Sequence, residues 1–508
     1  MTTTLFAGGH LFGGADPAAT ALVVDDDRIA WLGTDHAAHA HRDDIDYVVQ
    51  LDGAMVTAAF VDAHVHTTST GLALTGLDLS TTTSVDDLLQ RLAAHCRASR
   101  GGVILGHGWD ESSWPDRRPP TRQEIDRATY GSVVYLSRVD VHSCVASSAL
   151  LAIAPDAKNQ AGFDESGWLK QAAHHTVRAA AFESITPDQT SAAQRSALHE
   201  AASLGVGMLH ELGGPDISGA DDFQNLLALA ADEPGPEVVG YWGVGGGPDE
   251  AMTLGARGAA GDLFVDGAIG SRTALLREPY NDEATRGALY LTAAEIRDHI
   301  IACSLQQVQA GFHVIGDGAM DLIAAGFSEA VDQAGIDLVR QARHRLEHVE
   351  MVDENHIALF ARLGVVASVQ PMFDALWGGD PGMYVSRLGS DRAATLNPFA
   401  AMSAAGIPLA LGSDAPVTPL GPWAAVRAAV HHQTPEHHIS AREAFNAHTR
   451  GGWHAAGLDV GGDLTPGAPA NLAIWQVAEP GFPTLDSDSP LPTCLRTVVR
   501  GSTVFLRD

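Results

Sequence analysis

Two histidines at the end of an apolar run are the first residues of this chain whose types and spacing could do chemistry. His64 and His66 close the segment FVDAHVH, which begins at Phe60. Residues two apart on a β-strand point to the same side, so both imidazoles would project together. Neutral imidazoles suit borderline cations such as zinc. The pair therefore indicates a metal site, although a chain with 24 histidines also contains chance pairs.

Three later segments place further candidate ligands at or near the ends of apolar strands. His313 lies in the segment GFHVIGD, His348 ends the segment RLEH, and Asp414 follows the apolar run LALGS. On a β/α barrel the carboxyl ends of successive strands converge on one face, so residues far apart in the chain can share one site. The spacing therefore favours a single site built from four histidines and one aspartate.

The elements that must position these residues are predicted from an alternation of apolar strands and alanine-rich helices. The strand candidates are Val103–Trp109, Val133–Val139, Val206–Leu212, Leu263–Ala268, Phe312–Ile315, Arg345–Val349, Val365–Gln370 and Pro408–Gly412. Continuous apolar strands between helices indicate a parallel sheet covered by helices, which makes the fold class α/β. About eight such units in a chain of this length favour a (β/α)8 TIM barrel over an open sheet.

Three regions of the chain differ in pattern. Both ends consist of short strand-like runs and turns, which predicts one small β domain formed by residues 1–57 and 458–508. Residues 58–457 are predicted to form the metal-binding barrel. Within it, residues from about 68 to 200 contain strands and proline-rich turns. We interpret them as partly barrel and partly an insertion that covers the barrel mouth.

The composition of the chain indicates which kinds of partner and which cellular compartment to expect. The chain has 508 residues, 45% of them hydrophobic, which is enough for a large core. Its formal net charge of −31 disfavours nucleic acid and membrane surfaces as partners. Four scattered cysteines, without a CxxC motif, are typical of reduced thiols. With no recognisable signal peptide and no long apolar run, the sequence predicts a cytoplasmic protein.

Further motifs connect the chain to a known family. They are GWDE at Gly108, SRVDVHS at Ser137, DGAIGSRTA at Asp266 and GAPANL at Gly467. With the histidine segments, they resemble the metal-dependent amidohydrolase superfamily, in the branch that includes N-substituted formamide deformylases. The resemblance covers nearly the whole chain. It implies a (β/α)8 barrel, a small β-sandwich formed by both termini, a divalent metal that is usually zinc, and hydrolysis of amide-like C–N bonds.

The resemblance also assigns roles to the candidate residues. It implies that the metal ligands are His64, His66, His313 and His348, with Asp414 beside them. Asp414 would hold the nucleophilic water, act as general base and return the proton to the leaving nitrogen. A carboxylate within hydrogen-bond reach of the water is suited to that proton transfer.

One position departs from the family pattern. Many members carry a lysine on the fourth barrel strand, carboxylated so that it bridges two metals. Here Asp262 stands at that position, and the two lysines of the chain, Lys158 and Lys170, lie elsewhere. A carboxylated lysine is therefore excluded at the fourth strand. Either Asp262 becomes a ligand through a shifted strand, or Glu211 reaches in, or the site holds one metal; one and two ions both stay open.

Three other polar residues are interpreted individually. Arg272, in the loop GSRT, is a catalytic candidate that would bind an anionic substrate group or polarise a carbonyl, or else it ties its loop to a carboxylate. His142 follows a strand candidate and is predicted to face the substrate, with packing as the alternative. Glu347 is adjacent to His348 on a strand, so it is expected to point away from the site and to be structural.

These observations predict a metal-dependent amidohydrolase that acts on a carbon–nitrogen, non-peptide bond of a small-molecule substrate. Deamination of a cyclic amidine, or hydrolysis of a cyclic amide, is the alternative within the same chemistry. A non-catalytic binding protein on the same fold is a third possibility, supported only by the missing lysine. The resemblance is also compatible with a homodimer.

Overall fold

An eight-stranded parallel sheet forms the centre of the protein. The computed structural model describes residues 2–14, 16, 18–38, 40, 45–98, 102–478 and 481–507. The central strands are β1 (Phe60–Val65), β2 (Val206–Gly213), β3 (Glu237–Trp242), β4 (Gly258–Ala259), β5 (Gln309–Val314), β6 (Arg345–His348), β7 (Val366–Val369) and β8 (Leu409–Leu411). Each strand pairs in parallel with the next, and a bridge from Val65 to Ala415 brings the end of β8 back to β1. This arrangement confirms the predicted α/β barrel class.

Helices follow or separate the strands and cover the outside of the sheet. Those of six or more residues are Thr67–Thr75, Val85–Ala98, Arg122–Ala128, Ser148–Ile153, Gln171–Phe182, Pro187–Ser203, Ala220–Asp232, Ala293–Leu305, Asp317–Ala334, Ile336–Gln341, Glu354–Leu363, Pro371–Trp377, Met383–Leu388, Phe399–Ala404, Pro422–Val430, Ala441–Ala447 and Arg450–Ala455. Several start at capping boxes; Thr292 and Glu295, for example, satisfy each other's backbone N–H groups at the start of Ala293–Leu305. None of the described helices is long and apolar enough to cross a membrane.

Two smaller sheets are built from the chain ends, one from the N-terminal segment and the other from both ends. One has four strands, in the order Arg28–Gly33, Ala21–Asp25, Thr3–Ala7 and Tyr47–Gln50. The other has five strands, in the order His10–Leu11, Met55–Ala58, Leu472–Gln476, Thr493–Val499 and Ser502–Leu506. Phe6 and Leu22 from the first sheet and Ile474 and Val498 from the second belong to one buried cluster. The two sheets therefore form a sandwich that joins the N- and C-terminal segments.

A separate five-stranded sheet lies between β1 and β2 in the chain. Its order is Trp168–Lys170, Ser143–Ala146, Val134–Arg138, Ile104–Trp109 and Leu77–Asp78. The predicted strands Val103–Trp109 and Val133–Val139 are thus real, but they pair with each other in this insertion and not in the barrel. These insertion strands and the barrel strands are all short, apolar and paired in parallel, so the local pattern of hydrophobicity does not distinguish them.

The fourth barrel strand also differs from the prediction. The segment Leu263–Ala268 forms only a bridge from Phe264 to His313, whereas the regular strand β4 ends at Ala259. The chain leaves β4 after two residues, so the positions that follow are not bound to strand geometry. Strand β3, which the sequence pattern did not reveal, lies between β2 and β4.

Candidate metal centre

Four imidazoles and two carboxylates meet at the carboxyl ends of the barrel strands. They belong to His64 and His66 at the end of β1, Asp262 after β4, His313 in β5, His348 at the end of β6 and Asp414 after β8. Each of the six side chains is buried, and none belongs to a residue more than 6% exposed. The parallel strands bring these residues together because their carboxyl ends share one face of the barrel.

The two carboxylates lie among the imidazole nitrogens. Asp414 Oδ1 is 3.2 Å from His66 Nε2 and 3.3 Å from His64 Nε2. Asp262 Oδ2 is 3.2 Å from His66 Nε2, and its Oδ1 is 3.5 Å from His313 Nδ1. His348 Nε2 is 3.9 Å from Asp262 Oδ1. All six groups therefore face one small volume.

Five atoms of this cluster are buried without a hydrogen-bond partner. They are His64 Nε2, His313 Nδ1, His348 Nε2, Asp262 Oδ1 and Asp414 Oδ1. Buried polar atoms in proteins are normally paired, since leaving them unpaired costs the full desolvation of the group. A cation at their centre would satisfy all five, and imidazole with carboxylate is a donor set that zinc accepts. The residues present therefore fit a divalent metal.

The opposite nitrogen of each imidazole contacts an oxygen acceptor. The pairs are His64 Nδ1 with Glu347 Oε2 at 2.9 Å, His66 Nδ1 with the Leu212 carbonyl at 3.0 Å, His348 Nδ1 with Gln370 Oε1 at 2.8 Å, and His313 Nε2 with the Gly267 carbonyl at 3.4 Å. These oxygens only accept hydrogen bonds, so each outward nitrogen must donate. In a neutral imidazole the inward nitrogen then presents a lone pair, as metal-binding histidines do.

The carboxylates and imidazoles shift one another's pKa values. Burial by itself would lower the pKa of His64, but the charges of Asp414 and Asp262 raise it well above its usual value. Burial would raise the pKa of Asp414, yet His64 and His66 hold it below the ordinary range. Both shifts express one fact: two buried carboxylates need positive charge beside them, from protons or from a bound cation.

Glu347 does not point away from the site, contrary to the prediction. Its carboxylate accepts from His64 and is held by Arg345, whose Nη2 donates to Oε2 at 3.0 Å. Although burial opposes ionisation, Arg345 and His64 lower the pKa of Glu347 to about 2. The alternation of side chains along a strand holds only for extended residues, and His348 has a φ of 71°. The positive φ at His348 breaks the alternation on which the prediction rested.

The seam between β8 and β1 fixes the position of Asp414. Asp62 Oδ1 accepts from the Ser413 backbone at 2.9 Å, and a Cβ on Gly412 would lie only 2.6 Å from the His64 backbone nitrogen. Asp414 itself has a φ of 56°, which is uncommon for a residue other than glycine. Such conformations persist where the surroundings enforce them, often at functional sites.

The structure places the remaining candidates in different surroundings. The ring of His142 lies 5.0 Å from that of His313, and burial lowers its pKa to about 3, so its imidazole is neutral. Arg272 instead donates to Asp282 at 2.7 Å, which places it in the loop-tying alternative and outside the cluster. Glu211 lies close to His66, but its carboxylate accepts from the Thr67 backbone at 2.7 Å, and the carboxylates paired with the four imidazole nitrogens that face the cluster are those of Asp262 and Asp414.

Two cavities lie near the cluster, and insertion residues line part of each. A cavity of about 20 Å³ has His142, Glu350, Phe373 and Tyr384 in its wall, together with three residues of the cluster. A larger one, of about 1000 Å³, lies between insertion residues such as His107 and residues of the barrel loops. Of these two cavities, only the smaller one has cluster residues in its wall, and its volume is about that of one water molecule.

Comparison with known proteins identifies this arrangement. A model of the Amidohydrolase family matches residues 47–505. The chain belongs to the amidohydrolase family. The superfamily indicated by the sequence motifs is thereby confirmed.

Several relatives of this amidohydrolase align over most of its length. It is 28% identical over 501 residues to "Protein LONG AFTER FAR-RED 3" of Arabidopsis thaliana, covering 90% of this chain and 84% of that protein. It is 23% identical over 505 residues to an N-substituted formamide deformylase of Arthrobacter pascens, covering 90% of each. An uncharacterised metal-dependent hydrolase from Pyrococcus furiosus has a similar structure, with a TM-score of 0.73, 26% identity, and coverage of 93% of this chain and 98% of that one.

The amidohydrolase has an aspartate where the family pattern led us to look for a lysine. Asp262 lies three residues beyond the end of the short strand β4, and its carboxylate lies within 4 Å of all four imidazoles. The early end of β4 lets the backbone approach the cluster, so a short side chain reaches it. Of the three alternatives that the sequence left open, the geometry favours Asp262 over Glu211.

A substitution of Gln370 tests whether the hydrogen bonds to the outward imidazole nitrogens affect metal affinity. Gln370→Leu removes the acceptor of His348 while keeping a buried side chain of similar size. We expect metal affinity to fall about 10- to 100-fold, as is usual when such a partner is lost. Competition with a chromophoric chelator measures the affinity. Ser368→Ala is the matched control, because Ser368 lies on strand β7 and its hydroxyl donates to the Ala63 carbonyl; an equal loss in both variants would contradict the role of Gln370.

Proposed function

We propose that this amidohydrolase hydrolyses a non-peptide C–N bond of amide type in a small molecule. It would use one divalent cation, preferably zinc, held by His64, His66, His313 and His348 together with Asp262 and Asp414. The observation that carries the proposal is the convergence of five unpaired buried atoms, with every outward imidazole nitrogen already engaged.

The roles follow from what amide hydrolysis requires. The four histidines and two aspartates would hold a zinc ion, which would supply polarisation of the amide carbonyl and a water with a pKa near 7. Asp414, kept ionised by its imidazole neighbours, accepts a proton from the attacking water. The same carboxyl then donates that proton to the nitrogen as the C–N bond breaks. His142, neutral beside His313, would form a hydrogen bond with the substrate.

The geometry favours one ion over two. Two sets of ligand atoms lie within 4.8 Å of one another, one from His64, His66 and Asp414 and one from His64, Asp262 and His348. His64 belongs to both sets, and its Nδ1 is bound to Glu347. The single remaining lone pair of His64 can serve only one ion.

We therefore expect about one tightly bound zinc per chain, in line with zinc sites that use imidazole and carboxylate ligands. Elemental analysis by mass spectrometry of protein purified without chelator measures the ratio of metal to chain. Asp262→Ala, which retains the first of the two sets, should still bind one zinc more weakly. Two tightly bound zinc ions per chain in the parent protein would contradict a single-ion site.

A substrate panel tests the reaction. N-formyl amines, N-acyl amino acids and heterocyclic amines yield different products: formate or another carboxylate from amides, and free ammonia from cyclic amidines. We expect carboxylate release from one of the amide groups of the panel. Ammonia release alone would indicate a deaminase, and metal binding without turnover of any class would indicate a binding protein on this fold.

A further inference from the structure

Apolar side chains separate the two cavities near the metal centre. The outer cavity, of about 1000 Å³, lies between the insertion and the barrel loops, and the inner one, of about 20 Å³, has three residues of the cluster in its wall. In the part of the chain that the structure describes, Trp377, Met383 and Val417 belong to the walls of both cavities. We call these three side chains the partition.

The inner cavity is too small for an organic substrate in this conformation. Its volume is about that of one water molecule, and no residue of the cluster is more than 6% exposed. The outer cavity has the size of a binding site for a small molecule, but no cluster residue lies in its wall. A molecule that passes directly from the outer cavity to the inner one must therefore displace part of the partition.

The three side chains of the partition differ in their freedom to move. Val417 is β-branched, which restricts rotation about its first side-chain bond. The Trp377 ring packs against two other rings, with its centre 4.9 Å from that of Phe373 and 6.4 Å from that of Tyr384. Met383 is unbranched, with three rotatable bonds, and its soft thioether adapts to different surroundings. Met383 is therefore the member of the partition that rotates aside most easily.

The helix that carries Met383 is held in place by buried ion pairs. Met383 is the first residue of helix Met383–Leu388, and Arg387 lies in the last turn of that helix. Arg387 donates to Glu111 of the insertion at 3.0 Å and to Asp282 at 2.7 Å. A shift of the whole helix would break these pairs, which is costly for buried charges. Rotation of the Met383 side chain opens the partition without that cost.

We propose that Met383 is the gate between the outer cavity and the metal centre, and that its side chain limits the size of the molecules that reach the metal. When the side chain rotates aside, the two cavities become continuous. The reacting group of a substrate then lies at the cluster while the rest of the molecule stays in the outer cavity. Met383 thus determines specificity by size. The inference rests on the metal centre of the proposed function, but not on amide hydrolysis.

Two metal-binding ligands of different size test the gate. Acetohydroxamate and benzohydroxamate present the same group to a metal, and their binding to the cobalt-loaded protein changes its visible absorption. Stopped-flow absorption measures the association rate constant of each, and the ratio of the benzohydroxamate to the acetohydroxamate value reports on size. In Met383→Ala we expect this ratio to rise about tenfold, within the range over which association rates of related variants vary. An unchanged ratio would overturn the gate.

Further variants separate the gate from a general loosening of the core. Met383→Leu keeps the volume of the side chain, so its ratio should not exceed that of the parent. Met383→Val, a milder truncation, should give an intermediate ratio and decides the question if the alanine variant does not fold. Met351→Ala is the matched control, because Met351 belongs to the same apolar cluster and is as buried as Met383, but lies in the wall of neither cavity. An equal rise in Met351→Ala would overturn the assignment.

A longer route to the cluster is the alternative. A cavity of about 50 Å³ shares His107 with the outer cavity and Val141 with another small cavity at the cluster, so this route crosses two walls instead of one. Val141→Ala widens it, and we expect the ratio of rate constants to match the parent. A rise in Val141→Ala with no change in Met383→Ala would place the entrance there and overturn the proposal.

These association rates are measured without turnover, which separates this inference from the proposed reaction. If no amide is hydrolysed, the proposed reaction fails while the ratio of rate constants still decides on Met383. If the cobalt-loaded parent protein binds neither hydroxamate, the gate is overturned, whatever the result with amides.

Discussion

Asp414→Asn is expected to lower kcat for amide hydrolysis by about 1,000-fold, within the range of general acid–base catalysis, while the protein keeps its fold and its metal. An amide oxygen can still face the cluster as Oδ1 of Asp414 does, 3.2 Å from His66 and 3.3 Å from His64. The amide oxygen has no basicity at neutral pH, however. The variant can therefore neither take a proton from the water nor donate one to the leaving nitrogen.

Steady-state kinetics combined with metal analysis on the same preparation measures this effect. The metal analysis is essential because a variant that loses zinc would be inactive for another reason. Asp459→Asn is a suitable control, since Asp459 is exposed and pairs with Arg343, which precedes β6 and so lies at the opposite end of that strand from His348. Turnover at the parent rate in zinc-loaded Asp414→Asn would show that another group is the base.

Removal of the metal by a chelator is expected to abolish hydrolysis and to destabilise the fold. Relative to protein with free zinc 1,000-fold above its Kd, the free energy of unfolding should fall by about 4 kcal/mol. The physical reason is the donor set: without the cation, five buried atoms have no partner and two carboxylates compete for protons from the imidazoles.

Calorimetric unfolding of the chelated and zinc-reloaded protein checks this expectation. Zinc should restore both activity and the unfolding temperature. Calcium should restore neither, because it prefers oxygen ligands and the cluster offers four imidazoles. If chelated protein unfolds at the same temperature and keeps its activity, the cluster is not a metal centre.

Much of the barrel could be predicted from local pattern. Strands β5 to β8 are short apolar runs between helices, and their pattern of hydrophobicity is the direct result of burial on both faces. Strand β3 and the end of β4 could not be predicted in this way. Leu263–Ala268 is as apolar as a strand, yet it only bridges to β5, because pairing with a distant neighbour decides where a strand ends.

The candidate site, too, was predictable from the sequence only in part. Residue type and spacing alone indicated that His64 and His66 form part of a metal site, since residues two apart on an extended strand face the same side. The distances around Asp262 could not be predicted, because they depend on how soon the backbone leaves β4. The direction of Glu347 was predicted wrongly, because the prediction assumed extended residues and His348 has a φ of 71°.

The sequence by itself determined which chemical groups are available: imidazoles and carboxylates at strand ends, no lysine for a bridge, and an alternation that folds into a barrel. Only the tertiary structure decided which atoms of those groups meet, and that Gln370 and Glu347 orient the imidazoles. The reason is physical: periodicity along the chain encodes burial and local conformation, whereas ion pairs and hydrogen bonds between distant segments depend on packing that brings them together.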